Sequence, residues 1–309
     1  MSKTVKGCLL AGLTGILWAL SSPISKYLGR RGTDILNVTL IRVVLTSVLL
    51  AAWFLLKRRE LFRIDPKLFA VLFLFGPFLG VGLYYGFGMS AVYLPVATAL
   101  VIHYTFPMMV TVTAALLLKE RPTRSDVHSA LLIIVGVVLC AFTPQWTIDT
   151  TVSLPGVLWG FAAVVGMVGQ TLFSRLVVRQ GKISSLTQLF YVHISAAFWL
   201  AVYRLFVDCA PLSKLTAVDL SCTLVQAVCS SLIAYAAYGF AMIFIPASTA
   251  SMMASGEIVG AVAIAAVALG EWPTVPHLLG CAAVMTAICV SAAGQRKRER
   301  FSVTPSDVA

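Results

Sequence analysis

Arg42 in the run 35–56, His103 in 94–118 and Glu257 in 246–268 are ionisable side chains inside long apolar stretches of this 309-residue sequence. If such stretches cross a bilayer, a charge within them costs about 2.5–3.5 kcal/mol on insertion scales, so each is a functional candidate by default. Glu257 lies among Ala254, Ser255, Gly256 and Gly260. It can bind a substrate amine or carry a proton, or it can be hydrogen-bonded to a neighbouring helix and only fix packing. Arg42 can bind a carboxylate bidentately or extend along its helix to the outer interface. His103, beside Tyr104, can hydrogen-bond a solute or titrate near neutral pH, or join two helices. His193 with Tyr191 poses the same choice. Gln170, Ser21 and Ser22 offer neutral polar contacts, and Tyr84, Tyr85, Tyr235 and Tyr238 add stacking surface. Tyrosines also pack at membrane interfaces without touching a solute.

The elements that position these residues follow from composition. The chain is 59% hydrophobic and 11% charged, against roughly 25% charged in soluble domains. Ten apolar runs, near 7–27, 35–56, 68–88, 94–118, 127–145, 155–177, 186–207, 218–240, 246–268 and 275–294, predict ten transmembrane helices. Backbone groups in hydrocarbon must be satisfied within their own segment, and the runs do not alternate as barrel strands do. The expectation is an all-α membrane protein. The run 7–27 lacks a small-residue cleavage site and reads as the first span. The seven cysteines form no C-x-x-C pair and no metal-ligand spacing, so no metal or cofactor is expected. Cys209 and Cys222 flank a loop and leave one pairing open.

The net charge of +11 is distributed between the runs, not along one amphipathic face. That pattern serves orientation in a bilayer and excludes nucleic acid as a partner. With the first segment cytoplasmic, segments 1–6, 57–67, 119–124, 175–182 and 296–300 hold 17 Lys and Arg, against 5 on the other side. The positive-inside rule then predicts that both termini are cytoplasmic, with an even number of spans. The chain also repeats. Tyr84, Gly88, Pro95, Thr98, Ala99, Glu120, Pro122 and Thr123 recur as Tyr235, Gly239, Pro246, Thr249, Ala250, Glu271, Pro273 and Thr274, at a constant offset of 151. Residues 1–148 and 149–295 are expected to form two five-helix repeats, followed by a polar cytoplasmic tail, 296–309, too poor in apolar residues to pack. Five is odd, so the second repeat should be inverted. Equivalent residues such as Tyr84 and Tyr235 should then approach the pseudo-two-fold axis.

Several short stretches carry a family resemblance. Leu17-Trp18-Ala19-Leu20-Ser21-Ser22-Pro23 with Lys26 opens the first helix, and Ile41-Arg42 follows in the second. Leu118-Lys119-Glu120-Arg121-Pro122 and Leu269-Gly270-Glu271-Trp272-Pro273 close the two halves. Phe106-Pro107 and Glu257-Ile258 each keep one member of a Glu-Pro pair. In this order the chain resembles the EamA-type branch of the drug/metabolite transporter superfamily, with Ala19 in place of a usual Gly. The resemblance implies a ten-helix inverted-repeat bundle in a cytoplasmic (inner) membrane, often exporting amino acids or other metabolites. It also implies that Glu120 and Glu271 act at helix ends or gates, not on the solute.

The expected function is a secondary transporter of a small solute working by alternating access, with Glu257 the candidate for proton coupling, as monomer or homodimer in the lipid bilayer. A broad drug or organic-cation exporter is the alternative, and a channel or receptor the outside one. No HExxH, GxSxG or GxxxxGK[ST] motif is present, so neither an enzyme nor ATP-driven transport by this chain is expected.

Overall fold

A computed structural model describes residues 3–302 except Pro95, Glu120, Arg121, Ala141, Pro144, residues 148–152, Gly181, Lys182 and Glu271. The two gate candidates Glu120 and Glu271 therefore lie outside the described residues. The chain folds into α1 (Lys3–Trp18), α2 (Ser21–Arg30), α3 (Ile35–Lys57), α4 (Pro66–Pro77), α5 (Gly86–Tyr93), α6 (Val96–His103), α7 (Phe106–Leu117) and α8 (Arg124–Cys140). There follow α9 (Leu154–Gln180), α10 (Ser185–Arg204), α11 (Ala217–Val225), α12 (Ala234–Phe244), α13 (Ala247–Ala254), α14 (Glu257–Leu269) and α15 (Val275–Ser302). Wider π turns, Phe78–Tyr85 and Gln226–Ile233, join α4 to α5 and α11 to α12. From α3 and α10 onward the two halves share one order of elements, whereas the first half opens with two helices, α1 and α2, and the second with one, α9.

Among the described residues, seven helical stretches are long and apolar enough to cross a membrane. They are Lys3–Arg30, Ile35–Lys57, Pro66–Tyr93, Leu154–Leu176, Ser185–Arg204, Ala217–Phe244 and Ala247–Leu269. The expected runs 94–118, 127–145 and 275–294 fall instead on interrupted or shorter apolar helices, α6 with α7, α8, and the Leu278–Ser291 part of α15. The protein is a multi-pass, all-helical membrane protein. Its many exposed Leu, Val and Phe side chains, such as Leu56 and Val267, are what a lipid-facing surface requires. α15 does not stop near Gly294 but runs to Ser302; the Gln, Arg, Lys and Glu residues there are good helix formers and continue it. Cys209 and Cys222 are both free thiols.

The interruptions matter more than the helices. Pro107 has no N–H to donate four residues back, so α6 ends at His103 and α7 restarts at Phe106. α13 and α14 break at Ser255–Gly256 without a proline. Gly15 of α1 packs into that break: a Cβ on it would stand 2.5 Å from the Ala254 carbonyl oxygen and 3.0 Å from the Glu257 nitrogen. α1 and α2 are separated at Ala19–Leu20, four residues ahead of Pro23. Residues beside all three breaks and on the first π turn line one common buried space.

At one end, residues of the first half tie to residues of the second. The Asp34 carboxylate accepts from the Ala210 backbone N–H at 2.7 Å while capping α3. Thr33 donates to Asp219 at 2.9 Å, and Arg31 pairs with Asp219 at 3.5 Å. Arg204 donates to Asn37.

Candidate solute site

The central breaks enclose a cavity of about 30 Å³, lined by Trp18, Ser21, Ser25, Arg42, Leu83, Tyr84, Phe87, His103, Met167, Tyr235 and Glu257. Six of the eleven candidates from the sequence are on its wall: Ser21, Arg42, Tyr84, His103, Tyr235 and Glu257. They come from both halves of the chain.

Arg42 is 5% exposed and does not reach for an interface. Its Nε donates to the Ser231 hydroxyl at 2.6 Å and its Nη1 to the Ser21 hydroxyl at 3.2 Å. The guanidinium carbon lies 4.2 Å from the centre of the Tyr84 ring, a cation–π contact. Two of five N–H donors are used in these bonds. Ser231 stands on the second π turn and Tyr84 on the first, so the wider turns deliver two of the three partners of the cation, and α2 delivers Ser21. π bulges recur at functional sites for this reason: they re-aim side chains that a regular helix would place elsewhere.

Tyr84 and Tyr235, equivalent in the repeat, meet with ring centres 5.6 Å apart at 70°. Tyr84 also joins His193 at 3.1 Å, while the other ring nitrogen of His193 lies 2.8 Å from the Leu189 carbonyl. A carbonyl only accepts, so Nδ1 carries the proton and Nε2 accepts from the Tyr84 hydroxyl. His193 thus holds a cavity tyrosine without lining the cavity itself. Trp18 packs across Tyr235 and Tyr238 at 5.0 and 5.1 Å.

Glu257 begins α14 and is 3% exposed. Among the described residues it makes no direct ion pair with Arg42 or any other cation. Tyr104 lies beside it, its buried hydroxyl without a well-formed hydrogen bond. His103 stacks on Phe87 at 4.5 Å and keeps its buried Nδ1 without a partner. The indole N–H of Trp18 is equally without one. An unsatisfied buried polar group costs about 1–3 kcal/mol. Four residues around one cavity with polar atoms in this state or without an ion pair are a set of contacts ready for a bound molecule.

The other candidates fall elsewhere. Gln170 donates to Ser174 at 3.3 Å, and Gln188 donates to the same hydroxyl at 2.8 Å. Tyr238 meets Thr171 at 3.1 Å, in the same region beside α9. Tyr85 stacks edge-on with Trp159 at 5.0 Å and packs near Tyr203, away from the cavity. Ser22 is fully buried next to the lining Ser21 with its hydroxyl unpartnered. Ser25, Phe87, Met167 and Ser231 were not singled out by sequence. Ser25 alone had a signal, lying one helical turn from Ser21; the others become polar or lining neighbours only through packing.

The described residues thus form a multi-pass bundle with a buried polar cavity made by both halves. The chain belongs to the EamA-like transporter family, whose model matches residues 5–142 and again 154–293. It is 28% identical over 172 residues to an uncharacterized transporter of Archaeoglobus fulgidus, a match that covers 55% of this chain and 60% of the relative. A solved crystal structure shares the fold with a TM-score of 0.75 at 17% identity, over 94% of this chain and 98% of the other.

Proposed function

We propose that the protein is a secondary carrier that exports amino acids or related amphipathic metabolites across the cytoplasmic (inner) membrane by alternating access. In this reading ten spans form two inverted five-helix repeats with both termini cytoplasmic. The observation that carries it is a cation and a carboxylate on one small cavity, Arg42 and Glu257, that do not pair with each other. A zwitterion satisfies both: its carboxylate meets the remaining donors of Arg42 and its ammonium meets Glu257. Trp18, Tyr84, Phe87 and Tyr235 supply apolar and aromatic surface for the rest of the molecule. Without a solute, Glu257 is the group that takes up a proton, which gives a route to proton coupling.

A cavity of about 30 Å³ holds little more than a water. A solute therefore needs the halves to separate, and the network of Arg31, Thr33, Asp34 and Asn37 with the 204–219 segment is a closure at one end. A channel would offer a continuous polar path instead. Organic cations are the second reading, favoured by the aromatic wall and Glu257 but opposed by the charge of Arg42 in the same cavity.

Counterflow in proteoliposomes tests both. Exchange-accelerated flux of a labelled amino acid, lost in Glu257→Gln, is the expected result. Flux of tetraethylammonium but of no amino acid would select the second reading, and flux without exchange acceleration would remove the carrier.

A further inference from the structure

A second concavity lies on the flank of the bundle, apart from the central cavity. It is an open groove of about 630 Å³ walled by Thr4, Gly12 and Ile16 of α1, Gly256 and Gly260 at the α13–α14 break, and Met285 of α15 among others. Its surface is almost wholly apolar. Gly12 keeps it deep, since a Cβ there would meet nothing within 4 Å. From Thr4 to Ile16 the groove follows α1 for about 18 Å at 1.5 Å per residue. One leaflet of the hydrocarbon core is about 15 Å thick, so the groove has the length of a single acyl chain.

Its two ends differ in charge. At the start of α1, Lys3 and Lys6 are exposed, Lys6 reaching over the Phe244 ring at 5.3 Å. This is the end where α13 begins. α14 runs away from it and α15 returns toward it. A second copy of the chain seated here about a two-fold axis along the membrane normal would bring these like-charged ends together. A lipid phosphate would neutralise them.

We infer that this groove is a binding site for an anionic phospholipid, one acyl chain lying along α1 and the phosphate held at the basic end. The bound chain touches the α13–α14 break from outside: Gly256 walls the groove while the next residue, Glu257, walls the cavity. The site is independent of which solute is carried.

Native mass spectrometry of the full chain, delipidated in detergent and titrated with palmitoyl-oleoyl phosphatidylglycerol or the matching phosphatidylcholine, tests it. One phosphatidylglycerol should be retained preferentially. Lys3→Gln and Lys6→Gln should each reduce that preference about fivefold, the worth of one basic residue at an anionic surface, and leave phosphatidylcholine unchanged. Filling the groove should displace the lipid in a graded way, with Gly12→Ala retaining it, Gly12→Leu weakening it and Gly12→Trp losing it. Val48→Trp, on an exposed face outside the groove, should have no effect. Size-exclusion profiles confirm folding, and should Gly12→Trp not fold, Gly12→Leu and the lysine variants carry the test. Equal retention of the two lipids, retention insensitive to the Gly12 series, or a Gly12→Trp protein that turns from dimer to monomer with its lipid kept would each overturn the proposal.

Discussion

In the first half, the interrupted helix stops at Tyr104–Thr105 and restarts with Phe106-Pro107; in the second it stops at Ser255–Gly256, 151 residues later, and restarts with Glu257-Ile258. The backbone event is the same and its causes differ. Pro107 interrupts the first by its chemistry, because it cannot donate. The second has no proline, and its break is where Gly15 of α1 comes close to the Ala254 carbonyl. The side chains left at the restart differ as well. Phe106 packs on His103 and Tyr104 at 5.3 and 5.8 Å, whereas Glu257 puts a carboxylate on the cavity wall. A repeated scaffold can thus keep its geometry in both copies while its chemistry resides in one.

The largest effect that would break this comparison is on transport. Glu257→Gln should lower flux about 10- to 100-fold, the worth of 1.5–3 kcal/mol for hydrogen bonds to a charged group, and flatten its dependence on pH. Phe106→Leu, at the equivalent position, should keep the wild-type pH profile in the same proteoliposome assay; equal losses in both variants would make the two breaks alike. Next comes stability. Gly15→Val should destabilise by about 1–3 kcal/mol, as overpacking does, because its new atoms meet backbone that cannot rotate away; thermal unfolding in detergent reads this. Tyr84→Phe, which frees His193 Nε2, should cost about 1 kcal/mol in that measurement. The smallest change has the opposite sign. Gly12→Ala, one turn before Gly15 but facing open space, should stabilise by about 0.5–1 kcal/mol, the helix-interior cost of glycine. A loss of stability there would show that α1 is packed on both faces.

Much of this was legible in the sequence because the relevant signals are local or additive. Apolar runs placed the seven long helical stretches, since burial in lipid is read residue by residue, and Pro107 marked its break. The offset of 151 brought Tyr84 and Tyr235 to notice, and their rings do touch. Arg42, His103 and Glu257 were found because a charge in an apolar run is costly wherever the run goes. Less was legible where partners come from distant chain. Nothing in the sequence joins Arg42 to Ser231, 189 residues away, or makes His193 the support of Tyr84. Gln170 and Tyr85 look as promising as Ser21 and Tyr84 until the helices are rotated into place.

The sequence by itself determined the class of solvent, the positions of the seven long apolar helical stretches and the presence of buried ionisable groups. Composition and periodicity depend only on the chain's own residues, so no fold is needed to read them. Tertiary structure alone decided that Arg42 is held by serines and a tyrosine face, that it and Glu257 share a cavity without pairing, and that α1 approaches the second break through Gly15. Those outcomes depend on helix rotation and on π turns that shift register by fractions of a turn. A change of one residue in facing would have sent the same side chains into lipid.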